Sequence, residues 1–473
     1  MASPNISFDQ IPGSTRKPGQ YFEFNTSLAV RTLPGNTQTV LMLAQMLPSG
    51  RATPLTTQDI FSSDEAAEYF GYGSMAHVMV TSALTSYSYL QLQVVGISDA
   101  NGAQAAHGTV TITGPAAGNG TVSVWVGTTR INVAVSTSDT ATDIAAAMVT
   151  ALSQETALPV TASANNGVIT LTAKNKGAAG NEITLRAATT ASGVNVDTTV
   201  MSGGEIDPDI AAALAAVIAA GHNIIVCPYA TADALTVLRS HLDHVSGPLE
   251  QRGAIGVSGW KKSLSTGTTL TASINSGRIT VGWHRDSVCT VGEIAASYAA
   301  MIASEEDPAR PLNTLAMAAL DVTAIESRTL RAEQEKALYN GLTPFEIGAG
   351  DKVQIVRAIS TYTKNASGVD DVSLLDITTI RTLDYVRKAC RSRIALRFPR
   401  DKLSSRTNAK VRSELLDVLL KLEELEIVEE VEANKAALLV ERDSQDVNRL
   451  NAAIPCDVVN GLHVFAGRID LLL

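Results

Sequence analysis

The chain has 473 residues, a length for about three domains at roughly 150 residues each, and a net charge of −10 from 37 Lys+Arg against 47 Asp+Glu. That balance excludes the chain-wide basic surface needed to bind nucleic acid without sequence preference. Charged residues make up only 18%, below the roughly 25% usual for soluble domains, which points to surface covered by partners.

The first twenty residues carry Pro4, Pro12, Pro18, Gly13 and Gly19 with few apolar anchors, and predict an extended arm rather than a packed element. Alternation begins at Tyr21–Asn25, with Tyr21, Phe22 and Phe24 as its apolar members. The N-terminus lacks the basic and apolar regions of a signal peptide, and no run of 18 or more apolar residues follows. The expectation is synthesis in a cytosol without membrane insertion.

From Leu92 to Gly204 only ten of 113 residues are charged, and Trp125 is the one aromatic. Short alternating runs at Thr109–Thr113, Thr121–Val126, Arg130–Val135, Val160–Ala164, Val168–Ala173 and Glu182–Ala187, separated by Gly/Asn turns, predict strands. One helix interrupts them, with Asp139 as its expected cap and Ile144, Met148 and Leu152 on one face. Residues 92–204 therefore read as an α+β module inserted into a larger domain.

That larger domain spans 26–91 and 205–360. Asp207 is the expected cap, and Pro208 the first residue, of a helix with Ile210, Leu214, Val217 and Ile218 inward. A strand at Asn223–Cys227, a helix carrying Leu235, Leu238, Leu242 and Val245, strands Ala254–Val257 and Arg278–Trp283, and a helix Gly292–Ser304 follow. Helices alternating with short β-branched strands predict an α/β fold with a largely parallel sheet covered on both faces. Phe345–Ile347 and Val353–Tyr362 read as a hairpin turning at Gly348-Ala349-Gly350-Asp351.

The third region runs from residue 361 to 473. Asp371 or Ser373 is expected to cap a helix that buries Ile377, Ile380, Leu383, Val386 and Cys390, and a second helix spans Asn408 to about Val428. Eleven Lys/Arg lie between Arg381 and Arg412, and eight acids between Glu414 and Glu432. This pattern fits either a solvated helix face or a docking surface for an acidic partner. A strand near Ala437–Glu441, a turn at Asn460-Gly461 and a terminal strand at 463–472 close the chain. Apolar strands at both ends need a partner inside or outside the subunit.

Catalytic signals are absent. Gly256-Val257-Ser258-Gly259-Trp260 departs from the nucleophile elbow at its last position, so Ser258 reads as a strand-end serine in a turn. Cys227 reads as a buried small hydrophobe, and Cys289, Cys390 and Cys456 have no paired spacing. His241 and His244 lie at i, i+3 on a helix but lack a third ligand. The loop 348–351 lacks the Lys and Ser/Thr of a phosphate loop. No catalytic residue, metal or cofactor is expected.

The segment Ile6-Ser7-Phe8-Asp9-Gln10-Ile11-Pro12-Gly13-Ser14, with Arg16 through Thr26, resembles the N-terminus of tail sheath proteins from Mu-like contractile-tailed phages. Ala29 through Asn36, Phe70-Gly71-Tyr72-Gly73-Ser74, the hairpin ending Arg357-Ala358-Ile359-Ser360-Thr361-Tyr362 and the closing Gly461 through Asp470 extend the likeness over essentially the whole chain. The resemblance implies a subtilisin-like α/β core without a catalytic triad, an insertion facing outward, an α+β C-terminal domain facing a tail tube, and arms that lend strands to neighbours. It implies stacked six-fold rings, with tail tube, baseplate and tail terminator as partners, and a virion assembled in the host cytoplasm. Arg381, Arg387, Lys388 and Arg391 are the expected contacts to an acidic tube. Tyr21, Phe22, Phe24, Val464, Phe465, Ile469 and Leu471 are the expected inter-subunit strand residues. An α/β hydrolase with an unrecognised site, or a static assembly protein such as a tube subunit or adhesin, are the other readings of the residues.

Overall fold

The computed structural model describes residues 16–22 and 33–472; Phe24 and most of the expected arm lie outside the described residues. The first strand, β1 (Thr39–Gln45), is buried along nearly its whole length. Its side chains alternate, as the period of two requires: Val40, Met42 and Ala44 enter one apolar cluster, Leu41 and Leu43 the other. β2 (Thr57–Ile60), α1 (Ser63–Phe70), α2 (Met75–Ser86) and β3 (Gln91–Ile97) follow. β3 pairs parallel to β1 over seven residues.

Seven strands then build a separate unit: β4 (His107–Thr113), β5 (Gly120–Val126), β6 (Thr129–Val135), β7 (Val160–Asn165), β8 (Val168–Ala173), β9 (Leu185–Thr189) and β10 (Asn195–Thr198), with α3 (Ala141–Gln154) between β6 and β7. They form sheets of order β10-β4-β8-β7 and β6-β5-β9 around a core of their own that includes Val122, Val124, Ile144, Met148 and Leu171. The insertion therefore begins after β3, near the Gln104–Glu205 bridge, and not at Leu92. A buried parallel strand is as poor in charge as the insert, so composition blurred the edge. Two further expectations shift by a few residues. Thr140, in a capping box with Asp143, caps α3 in place of Asp139, and the sixth strand starts at Leu185 because 178–182 form a 3₁₀ turn.

The core resumes with α4 (Ala211–Ala216), β11 (Ile224–Val226), α5 (Ala232–Val245), β12 (Ile255–Trp260), α6 (Leu264–Ile274), β13 (Ile279–Trp283), α7 (Val291–Ser304), α8 (Arg331–Tyr339), β14 (Thr343–Gly348) and β15 (Lys352–Ile355). The eight strands lie in the order β15-β14-β13-β12-β11-β1-β3-β2. All pairings from β14 to β3 are parallel, and only the two edge strands run antiparallel. Residues of α2 and α7 pack one face, and residues of α4, α5 and α6 the other. This is the two-sided α/β sheet expected.

Asp207 does not cap α4; its carboxylate accepts from the Ala179 N–H of the insert at 2.9 Å. Lys261, just past β12, donates from Nζ to the Glu182 carbonyl, Thr184 Oγ1 and the Cys289 carbonyl. Gln45 at the end of β1 donates to the Lys176 carbonyl at 2.6 Å. Buried polar side chains that satisfy backbone groups of the other unit fix the insert's seating.

The C-terminal region pairs α9 (Ile377–Arg397) with α10 (Thr407–Glu424), then adds β16 (Val428–Glu429), β17 (Leu439–Arg442), β18 (Leu450–Ala453) and β19 (Asp457–Val458). β16 pairs with β19 and β17 with β18, over a core that includes Val386, Cys390, Leu415 and Leu422. α9 starts after Asp376 rather than after Asp371 or Ser373, and Leu383 is exposed instead of buried. Among the described residues the hairpin expected at Asn460-Gly461 does not form, and residues 463–472 join no ladder.

Candidate assembly surfaces

The positions where α/β enzymes place their chemistry are closed. Ser258 sits inside β12, not at its end, is fully buried, and donates from Oγ to the Cys227 carbonyl at 3.0 Å. Burial pushes the Cys227 thiol up to about 12, so it stays protonated and unreactive at neutral pH. Burial also pulls His241 down to about 4. Among the described residues no group of His, Cys, Asp and Glu is placed to hold a metal ion. Residues 348–351 form the turn of the β14–β15 hairpin, with Gly350 and Asp351 at positive φ.

The basic stretch resolves into three environments. Arg381 is 7% exposed and donates to the Glu305 carbonyl at 2.6 Å, while its Nε and Nη1 find no acceptor among the described residues. Burial brings its guanidinium down to about 10, still charged at neutral pH. Arg387 donates to the Ser246 carbonyl and to Asp384, and Lys388 to the Gly35 carbonyl at 2.8 Å. Of the four residues expected to meet a tube, Lys388 and Arg391 are exposed, and Arg391 alone has no hydrogen bond or ion pair among the described residues. The other three hold α9 against the core and the root of the N-terminal segment, where Tyr385 also donates to the Pro34 carbonyl. Between α9 and the loops at 221–223 and 251–255 lies a cleft of about 500 Å³, which Arg391, Lys388 and Arg252 line.

Asp384, the lone acid near the start of that stretch, takes both nitrogens of Arg278 at 2.7 and 3.0 Å and one from Arg387 at 2.8 Å. Bidentate Arg–carboxylate geometry is the strong form of the ion pair. Further along α9, Arg393 is 5% exposed and reaches Glu414 and Asp417 of α10 at 3.0 and 2.6 Å. Arg397 pairs with Glu414, and Lys421 with Asp417. Much of the basic run and its acidic neighbour thus neutralise each other inside the subunit. This use was one the separate charge counts did not reveal, although two helices of opposite charge in sequence were the available signal.

The termini do the reverse. Tyr21 and Phe22 are exposed, and the Tyr21 hydroxyl donates to the nearby Lys17 carbonyl. His463 is held by Asn313 at 3.0 Å and lies 3.5 Å from Asp376, and Asp376 is itself clasped by Arg357 through two bonds. Beyond it Val464, Phe465, Ile469 and Leu471 face solvent, with Phe465 87% and Ile469 99% exposed. Single subunits rarely leave so many large apolar side chains in a row uncovered.

A family profile described as the phage tail sheath protein central domain matches residues 203–361, and one for the phage tail sheath C-terminal domain matches residues 369–471. Together they cover more than half of the chain. The chain belongs to the phage tail sheath family. It is 32% identical, over 99% of its length and all of the relative's, to the Mu-like prophage FluMu tail sheath protein of Haemophilus influenzae. Its fold is similar to that of the sheath tail protein of Desulfitobacterium hafniense (TM-score 0.53, 14% identity, 94% of this chain and 97% of that one). It is similar also to that of Lin1278 from Listeria innocua (TM-score 0.52, 14% identity, 92% and 94%). The sheath subunit is a structural component of a contractile phage tail and not an enzyme. The hydrolase reading fails on both this membership and the burial of Ser258.

Proposed function

We propose that the sheath subunit polymerises as stacked six-fold rings around a tail tube and contracts to drive the tube through the host envelope. Baseplate and terminator proteins bound the polymer, which assembles in the host cytoplasm. The core, with its two-sided parallel sheet, is of the subtilisin-like kind without the triad, and the insert faces away from the tube. Arg391 and Lys388, the outward members of the α9 set, contact the tube. Exposed charges suit a contact that must release, because each is worth about 0–1 kcal/mol and is screened by salt.

The observation that carries this reading is the segment 464–472. Nine residues at about 3.3 Å each reach some 30 Å, enough to cross onto an adjacent protomer. Its four expected interface residues, Val464, Phe465, Ile469 and Leu471, are all exposed. Full burial of such side chains stabilises by about 1.5–3 kcal/mol apiece, and strand addition contributes backbone hydrogen bonds as well. Tyr21, Phe22 and Phe24 act likewise at the other end. Links on flexible tethers let subunits rotate past one another without separating, so that the extended polymer is a metastable packing of the same subunits. Truncation after His463 should give folded protein that stays monomeric by sedimentation. Sheaths of normal length in electron micrographs of that variant would overturn the proposal.

A further inference from the structure

The insert carries a cationic row that neither its own core nor the parent domain uses. Register places Trp125 of β5 directly between Arg130 of β6 and Arg186 of β9. The Arg130 and Arg186 guanidinium carbons lie 4.9 and 5.6 Å from the indole ring centroid, within the range of cation–π attraction. Arg130 is oriented further by a 2.9 Å bond to Ser123 Oγ, which in turn donates to Asn132. The adjoining row, Asn132, Ser123 and Ala188, contains no acid. Both arginines are exposed, and neither has an ion-pair partner among the described residues. Two guanidinium groups braced against the insert's single aromatic form a rigid display of donors with no carboxylate to satisfy them.

The opposite side of the module has the complementary sign. Val122, Val124 and Val126 point away from the Trp125 row and into the core, as alternation demands. The buried face of α3 packs on that same core. α3 contains no Lys or Arg, carries exposed Asp143 in its first turn, and is flanked by Asp139 and Glu155. The Thr140 bonds hold the Asp143 carboxyl below its ordinary value. Lys174 makes no ion pair with these acids among the described residues; its ammonium is bonded to the Tyr72 and Thr156 carbonyls.

We propose that the Arg130–Trp125–Arg186 row docks against the acidic α3 side of the insert on a second copy of this chain. A cationic face and an acidic face on opposite sides of one module make a head-to-tail contact. Such a contact joins unlike faces, so it repeats from copy to copy as a ring or an open helical series according to the rotation between neighbours. Each exposed pair is weak, but repetition along a polymer multiplies it. The insert is then a second, charge-based bond between neighbours. It rests on the subunit's polymerising and is separable from the terminal strands.

The test uses full-length protein and the concentration at which half of it pellets as polymer. R130E/R186E should raise that concentration by roughly tenfold or more, and Q154K/E155K, which leaves the Thr140–Asp143 cap intact, should do the same. Mixed in equal amounts the two variants should return to the wild-type value, because each face then meets its opposite. If R130E/R186E melts abnormally, R130Q/R186Q serves in its place, with a smaller shift expected and partial recovery on mixing with Q154K/E155K, because every second junction then regains opposite charges. Wild-type polymerisation by both variants, or no recovery on mixing, overturns the proposal. So does a row whose reversal leaves polymers intact but abolishes binding to polygalacturonate, which would assign it to an acidic glycan.

Discussion

Replacing Asp384 with Ala should loosen α9 from the core. The carboxylate accepts three charge-assisted bonds, two from Arg278 and one from Arg387, at side chains only 14%, 17% and 30% exposed for Arg278, Asp384 and Arg387. Removing one partner of a fully buried pair costs about 3–5 kcal/mol, chiefly because charge is left uncompensated. Here the loss is smaller, since Arg278 keeps the Ala254 carbonyl and Arg387 the Ser246 carbonyl. About 2–3 kcal/mol is therefore expected, equivalent to a fall of roughly 30- to 150-fold in the protection of the α9 amides. Hydrogen exchange read by mass spectrometry resolves that change segment by segment, with β5 and β8 of the insert as the internal reference. D384N, which keeps the shape and an acceptor, should lose less. An α9 exchange rate in D384A within twofold of wild type would refute the account of Asp384 as the clasp between the two domains.

Two other outcomes follow from the closed core. S258A should cost about 1 kcal/mol, the net worth of its bond to the Cys227 carbonyl, and serine-directed fluorophosphonate should label neither protein; labelling at Ser258 would contradict its burial. For His241, the folded-state value of about 4 lies below the ordinary 6.5, so between those limits the unfolded chain binds more protons and stability rises with pH. H241Q should flatten the slope of the denaturation midpoint between pH 6.5 and 4, and an unchanged slope would sink the assignment.

What the sequence revealed depended on whether the signal was local. β11 reads as a buried strand because Ile224–Cys227 is an unbroken apolar run stopped by Pro228. α5 reads as a helix because Leu235, Leu238 and Leu242 share a face, and Thr231 supplies its cap. The insert was legible from its charge deficit, but its edge was not, because β3 shares that deficit for a different reason. Charge counts could not distinguish Arg381, sealed against Glu305, from Arg391, open to solvent: both are arginines on one helix, and only the packing of Ile380 and Tyr385 decides which faces inward. The ion pairs of Arg393 with Glu414 and Asp417 span 21 and 24 residues, a distance at which composition carries no geometry. At the C-terminus the apolar pattern was legible, and its exposure, with no strand partner among the described residues, gives it meaning.

The way His463 is seated also sets how tension would travel. A pull on residues 464–472 reaches His463 first, then Asn313 and Asp376, and through the doubly bonded Arg357 the chain just beyond β15. Asp376 is in addition bridged to Ile359, in the segment whose Thr361 N–H donates to the Ile279 carbonyl at the start of β13. Strain arriving from a neighbour would therefore pass into the eight-stranded sheet at the foot of α9, leaving the small β16–β19 ladder, with its two residue pairs, largely unstretched.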